Sequence, residues 1–219
     1  MQIRIFQLRN DFKDKFMSYE HMMNNGGINA EDYRQVYGGD ILIPDLNGAL
    51  NTIYEICNIG ERPLGYMGHS LSVSDIIEIR EWNSFFFVDS FGFKKLDNFD
   101  IDKTNHGQMI RVLICECERH PYIAEIPDDY KALQHIVGGH FETFPVDPKE
   151  KLIAWCNDEG LINGSKLNRI INGNPIYGNL CISSLSDNLE DMASIAPEQS
   201  DSLTSALYYP AISNTKEGF

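Results

Sequence analysis

No stretch of this 219-residue sequence approaches the roughly 18 to 20 consecutive apolar residues of a membrane span. The opening Met1-Gln-Ile-Arg-Ile-Phe6 alternates polar and apolar residues where a secretory signal would carry an apolar block. A membrane partner is therefore not expected, and the reading is a cytoplasmic protein. A disulfide framework is missing too. The five cysteines (Cys57, Cys115, Cys117, Cys156, Cys181) are odd in number and scattered, and a reducing compartment keeps such residues as thiols. Cys115-Glu-Cys117 lacks the C-x-x-C spacing of a zinc knuckle or redox pair. On an extended strand its two thiols would share one face as small core filler.

Basic residues are scarce, 18 against 32 acidic ones for a net charge of −14, and Lys94-Lys95 is the one basic doublet. Phosphate backbones are bound by clustered lysine and arginine, so nucleic acid is not expected as a direct partner. The glycine pairs Gly26-Gly27, Gly38-Gly39 and Gly138-Gly139 form neither G-x-G-x-x-G nor a Walker loop and read as turns and helix stops. No cofactor is implied. Repeats and low-complexity tracts are also absent.

What is present is enough for real cores: 42% hydrophobic and 11% aromatic residues with 23% charged. Alternation marks a two-sided strand over Gln2 to Leu8, with Ile3, Ile5 and Gln7 on one face. Ala30 to Tyr37 reads as a short helix ended by Gly38-Gly39. Asp45 is an N-cap before Leu46, Ala49, Leu50, Ile53, Tyr54 and Cys57 at helical spacing. Strand-like runs follow at Leu64 to Met67, Val73 to Arg80 and Phe85 to Phe93, with a hairpin turn at Glu81 to Ser84. Periodicity is lost from Lys94 to Gln108, which places a domain boundary there, between residues 1–105 and 106–219.

The second module begins with a strongly apolar strand from Met109 to Cys117, paired in a hairpin with Tyr122 to Ile126. Asp128-Asp129 caps a helix carrying Leu133, Ile136 and Val137 on one face, and Gly138-Gly139 stops it. Strands at His140 to Phe144, Leu152 to Cys156 and Leu180 to Ser183 are separated by turn-rich pieces such as Asn172-Gly-Asn-Pro175. The tail, Asp187 to Leu207, holds one or two short helices entered at Asp187 and Pro197. The expected fold class is α+β, two small modules, each a mostly antiparallel sheet with one or two packed helices.

The most distinctive string is Gly68-His-Ser-Leu-Ser-Val-Ser-Asp75, followed by Asp89 and Gly92. It supplies His69, three serines (Ser70, Ser72, Ser74) and two aspartates (Asp75, Asp89), so a hydrolase with serine, histidine and aspartate has to be weighed. The serines alternate with Leu71 and Val73 as on a strand, and no G-x-S-x-G elbow surrounds them. The simpler reading makes His69 and Asp89 turn residues that pin a hairpin within a binding surface. In the second module, Asp128, Asp129, His135, Gly138, Gly139 and His140 form the corresponding surface. His120, His135 and His140 with Asp128 or Asp129 would suit a metal only if paired on a helix face, and no histidine lies four residues from another. No metal is expected.

Surplus acid can also imitate DNA. A fold of this size exposes roughly 10,000 Å², about one net negative charge per 700 Å², against about one per 100 Å² on a duplex. Mimicry would need most of the acids gathered on one face or doubled along a dimer groove, and the acidic groups in the sequence are short.

Two sets of strings carry a resemblance. Gly68-His-Ser-Leu-Ser-Val-Ser-Asp-Ile-Ile77 with Val88-Asp-Ser-Phe-Gly-Phe93 resembles the YodL-like domain, which occurs in proteins of conjugative elements and phages of Firmicutes. Met109-Ile-Arg-Val-Leu-Ile114, Ile126-Pro-Asp-Asp129, Leu133-Gln-His-Ile-Val-Gly-Gly-His140 and Asn163-Gly-Ser-Lys-Leu-Asn-Arg169 resemble an uncharacterised domain of the same mobile-element proteins. Neither resemblance implies catalytic residues. Together they imply a modular accessory protein acting on a host or element-encoded protein partner, with an acidic antirestriction protein as the alternative.

Overall fold

A strand with two apolar faces has to be covered on both, and the computed structural model places Gln2–Leu8, strand β1, between two neighbouring strands. The structure describes residues 1–43, 45–59, 62–105, 107–188 and 191–211. They form two units, Met1–Met109 and the chain from Ile110 onward. That division lies just past the boundary read at residue 105.

In the first unit β1 is flanked by β2 (Tyr33–Asp40) and β3 (Ile76–Ile79), and β4 (Ser84–Val88) and β5 (Phe93–Leu96) complete an antiparallel sheet in the order β5-β4-β3-β1-β2. Ile3 and Ile5 pack on one face with Ile53 and Cys57 from helix α2 (Ala49–Ile56) and its C-terminal end. Phe6 and Leu8 pack on the other with Met22 of helix α1 (Tyr19–Asn24), Tyr33, Phe87 and Phe99. Asp45 does cap, accepting the Asn47 N–H, but the turn it opens is a 3-10 turn, Leu46–Gly48, that leads into α2.

Four expectations are corrected here. Ala30 to Tyr37 is not a helix: only Ala30–Asp32 turns, as a 3-10 segment, and Tyr33 onward is strand. Ile5 faces Tyr37 while Phe6 faces Gln35, so Val36 is an extra, bulged residue. Leu64 to Met67 is turn and irregular chain, and the strand read from Val73 begins at Ile76. The run Phe85 to Phe93 breaks into β4 and β5 around a tight turn at Asp89 to Gly92, where Gly92 adopts φ +75°.

The second unit's sheet runs β7-β6-β12-β9-β8, built from β6 (Met109–Cys115), β7 (Tyr122–Pro127), β8 (Phe141–Asp147), β9 (Leu152–Asn157) and β12 (Leu180–Leu185). The short β13 (Met192–Ala193) pairs with β12. Helix α3 (Tyr130–Val137) packs on β8, β9 and β12 through Ala132, Leu133, Ile136 and Val137. Asp129 caps it by accepting the Lys131 N–H, and Gly138 ends it in the left-handed conformation at φ +78°.

The opposite face is covered by Ile171 and Ile176 of a hairpin, β10 (Leu167–Ile171) and β11 (Asn174–Tyr177), and by Leu203 of helix α4 (Pro197–Ala206). Pro197 opens α4 as expected, whereas Asp187 opens no helix among the described residues. Cys117 lies beyond the end of β6 and is half-buried, so only Cys115 is core filler. Both units are α+β with mostly antiparallel sheets. No helix among the described residues is long and apolar enough to cross a membrane.

Candidate functional site

Gln7 is a polar residue on the inner side of β1, 1% exposed, and burial obliges its amide to find partners. Its Oε1 accepts the His69 N–H at 3.1 Å, while its Nε2 lies 2.9 Å from the His69 carbonyl and 3.0 Å from Asp75 Oδ2. Those two acceptors use both amide protons. The Tyr66 hydroxyl lies 3.3 Å and His69 Nδ1 3.0 Å from the same nitrogen, contacts that its two protons do not serve. His69 Nδ1 is also 2.8 Å from the Ser70 carbonyl. A carbonyl only accepts, so Nδ1 is assigned a proton.

Gly68 is required at its position: a Cβ there would overlap Gln7 Oε1 and come within 2.9 Å of Val36 Cγ2. Asp75 Oδ2 also accepts the Ser72 N–H at 2.8 Å, and the residue is 1% exposed. Burial pushes its carboxyl well above the usual range, against the downward pull of the Ser72 and Gln7 hydrogen bonds and the Lys15 charge. A carboxyl whose folded pKa is raised binds protons more tightly in the native state, so stability is greatest below the unfolded value of about 4. It falls as pH rises from there toward the raised folded value. Urea midpoints measured between pH 4 and 8 should show this decline, and Asp75→Asn should flatten it; an unchanged slope in that variant would exclude Asp75 as the source.

Seen from outside, the same string holds a loop. Ser74, itself at φ +78°, accepts the Phe16 N–H on its Oγ at 3.0 Å, and Tyr33 donates its hydroxyl to the Ser74 carbonyl. Asp89 Oδ1 accepts the Tyr19 N–H at 3.0 Å together with that of Ser90 at 2.8 Å. The His69 ring lies 5.2 Å from that of Phe16, whose backbone sits at φ +62°. Both ends of the Phe16–Tyr19 segment are thus tied by residues of the two strings. The segment presents Phe16, 56% exposed, and Met17, 38% exposed, and Phe91 at the tip of the β4–β5 turn is 94% exposed.

The serines do not assemble with His69 as a nucleophile would. Ser72 Oγ donates to the Ser70 carbonyl, Ser74 Oγ serves Phe16, and among the described residues no serine hydroxyl is bonded to the His69 ring. The aspartate nearest that ring is Asp75, at 3.8 Å, while Asp89 is committed to the loop.

In the second unit Asp129, Gly138 and Gly139 are helix-cap residues, and Asn157 Nδ2 donates to the Val137 carbonyl at the same end of α3. Asp128, His135 and His140 are exposed. Asp128 has its carboxyl raised by partial burial and by the nearby charges of Asp191 and Asp129. His120 stacks on Tyr208 at 4.1 Å, and among the described residues no three His, Cys, Asp or Glu side chains are placed to hold a metal ion.

Sequence reasoning passed over Arg169, which is 1% exposed. Its Nε donates to the Leu207 carbonyl at 2.8 Å, Nη2 to the Arg119 carbonyl at 2.7 Å, and Nη1 to Asn168 O and Oδ1. Asn168 in turn donates to the carbonyls of Cys115 and Gly178. Burial lowers the Arg169 pKa from its ordinary value. The signal for Arg169 was its place in the Asn163 to Arg169 string. For Gln7 it was a polar side chain facing inward from a two-sided strand. Nothing in the sequence marked Phe16 or Tyr19.

No curated protein and no solved structure matches the chain. Two family models do, and the chain carries a YodL-like domain over residues 2–99 followed by a domain of unknown function (DUF3846) over residues 110–208.

Proposed function

We propose that this chain is a non-enzymatic accessory protein of a bacterial mobile element that binds a host or element-encoded protein, and that its YodL-like unit makes the contact through Phe16, Met17 and Phe91. The observation carrying this reading is the use of the two strings: Ser74, Asp89 and the His69 ring hold a strained, exposed aromatic loop. Left-handed backbone at a bulky residue costs on the order of 1–3 kcal/mol and persists only where its surroundings impose it. Large apolar side chains held out in water are the usual anchors of protein interfaces.

The test is capture from a host lysate by the intact protein and by a Phe16→Ser/Phe91→Ser variant, in low and moderate salt. Exposed positions contribute little to the core, so the variant should keep its unfolding midpoint within about 1 kcal/mol of the parent while losing most of a salt-resistant prey. Prey retained by the folded variant would remove this face from the interface. Salt-sensitive capture of restriction or DNA-processing subunits would favour the acidic antirestriction alternative instead.

A further inference from the structure

We infer that the outer edge of β5 receives an extended acidic segment of the partner protein as an added strand; this rests on the protein-binding reading above and names the partner's chemistry. β5 pairs with β4 along one side only, and among the described residues no strand pairs with its other side. The Asp89 N–H bonds the Gly92 carbonyl, and the register then runs Val88 to Phe93, Phe87 to Lys94, Phe86 to Lys95 and Phe85 to Leu96 without a shift. Antiparallel ladders alternate bonded and non-bonded pairs. Lys94 and Leu96 therefore turn their backbone groups toward β4, and Phe93 and Lys95 turn theirs outward.

Edge strands are normally blunted against such pairing. The terminal strand of the second unit shows how: β8 contains Pro145, and Asn172 Nδ2 donates to the carbonyls of Pro145 and Val146. β5 has neither device. Its guard is charge, since Lys94 and Lys95 are both exposed and form the one basic doublet in a chain of net charge −14. That guard is selective. A second β5 edge would bring lysine against lysine, whereas an acidic strand would gain opposite-charge cross-strand pairs.

The local relief adds a second requirement. At the Leu96 end lies a groove of about 230 Å³, lined by Tyr19, Met23, Ile28, Leu96, Asp97 and Phe99 among others. Met23 is 51% exposed, so an apolar side chain entering the groove would cover it. Lys95 and Asp97 also line it, one charge of each sign, so its preference rests on the apolar lining. The fitting segment thus carries acidic residues opposite Lys94 and Lys95 and an apolar residue at the Leu96 end. Main-chain hydrogen bonds would supply affinity and the alternate side chains specificity.

The experiment uses the full chain and three fluorescein-labelled octapeptides: an adjacent glutamate pair flanked by valine and threonine and ending in leucine, the same with lysine for glutamate, and the acidic peptide with alternate backbone amides N-methylated. Fluorescence anisotropy should show the acidic peptide binding at least tenfold tighter than the basic one, N-methylation in the pairing register abolishing binding, and Lys94→Glu/Lys95→Glu reversing the charge preference. Hydrogen exchange should slow at the Phe93 and Lys95 amides and stay unchanged at Lys94 and Leu96. Equal binding of the acidic and basic peptides, indifference to methylation, or a salt-independent dimer of the chain through β5 would each overturn the inference. Lysate capture lost in Phe16→Ser/Phe91→Ser but no peptide binding would overturn the edge alone. Peptide binding with capture intact in that variant would overturn the Phe16 face alone.

Discussion

Gln7→Leu should destabilise the first unit by on the order of 3–5 kcal/mol, a large fraction of the 5–15 kcal/mol that holds a typical domain together. Leucine nearly matches the glutamine in volume, so cavity formation is a small part of the loss. The cost lies in the partners. The His69 N–H and carbonyl lose their part-buried bonds to the Gln7 amide, and the buried Asp75 Oδ2 keeps only that from the Ser72 N–H. Each buried group left unsatisfied costs about 1–3 kcal/mol. Urea unfolding followed by circular dichroism should show an early transition for the first unit and an unchanged one for the second. A loss below about 1 kcal/mol would mean that water reaches these groups and that their bonds hold less of the fold than the geometry suggests.

Arg169→Met should have the next largest effect, a loss of about 2–4 kcal/mol confined to the second unit. Two terms oppose each other here. The buried guanidinium has lost its water and its hydrogen-bonding acceptors are uncharged oxygens, so removing the charge relieves a desolvation cost. The same change strands the carbonyls of Leu207, Arg119 and Asn168. Those bonds are charge-assisted and arranged to fit a planar fork, so their loss should win. Arg169→Lys keeps the charge without the fork and should recover less than half of the difference in urea unfolding. A methionine variant more stable than the parent would show that desolvation dominates.

The sequence was most readable where one local rule acted alone. Asp129 before an apolar stripe and Gly138 after it predicted α3, and both caps are present. The two faces of β1 followed from simple alternation. Reading failed where a tertiary feature changed the period. The bulge at Val36 puts Tyr33, Val36 and Tyr37 in the core, a spacing of three and four that imitates a helix. The aromatic run Phe85 to Phe93 hid the turn at Asp89 to Gly92, because its apolar residues mark strand more strongly than Ser90 and Gly92 mark a turn. The hairpin of β10 and β11 escaped although its turn was noticed: Asn172 and Gly173, at φ +51° and +80°, suit a tight reversal. Pro175 in the second strand argued against it. At the candidate site the strings around His69 and Asp89 stood out, but what they hold did not. Gln7 lies 62 and 68 residues upstream of its partners in the motif and Phe16 58 upstream of Ser74, and they meet it only through the fold.

The placement of the thiols makes the chain its own reporter of opening. Cys57 is buried in the core of the first unit, with its thiol pushed up to about 12 by burial. Cys115 and Cys156 lie in the core of the second unit at about 12 and about 11. Such groups are inert to alkylation while the fold is closed, since the thiolate is the reacting form. A mass spectrum taken during timed labelling would therefore date the opening of each unit separately, without a dye, a tag or an engineered residue.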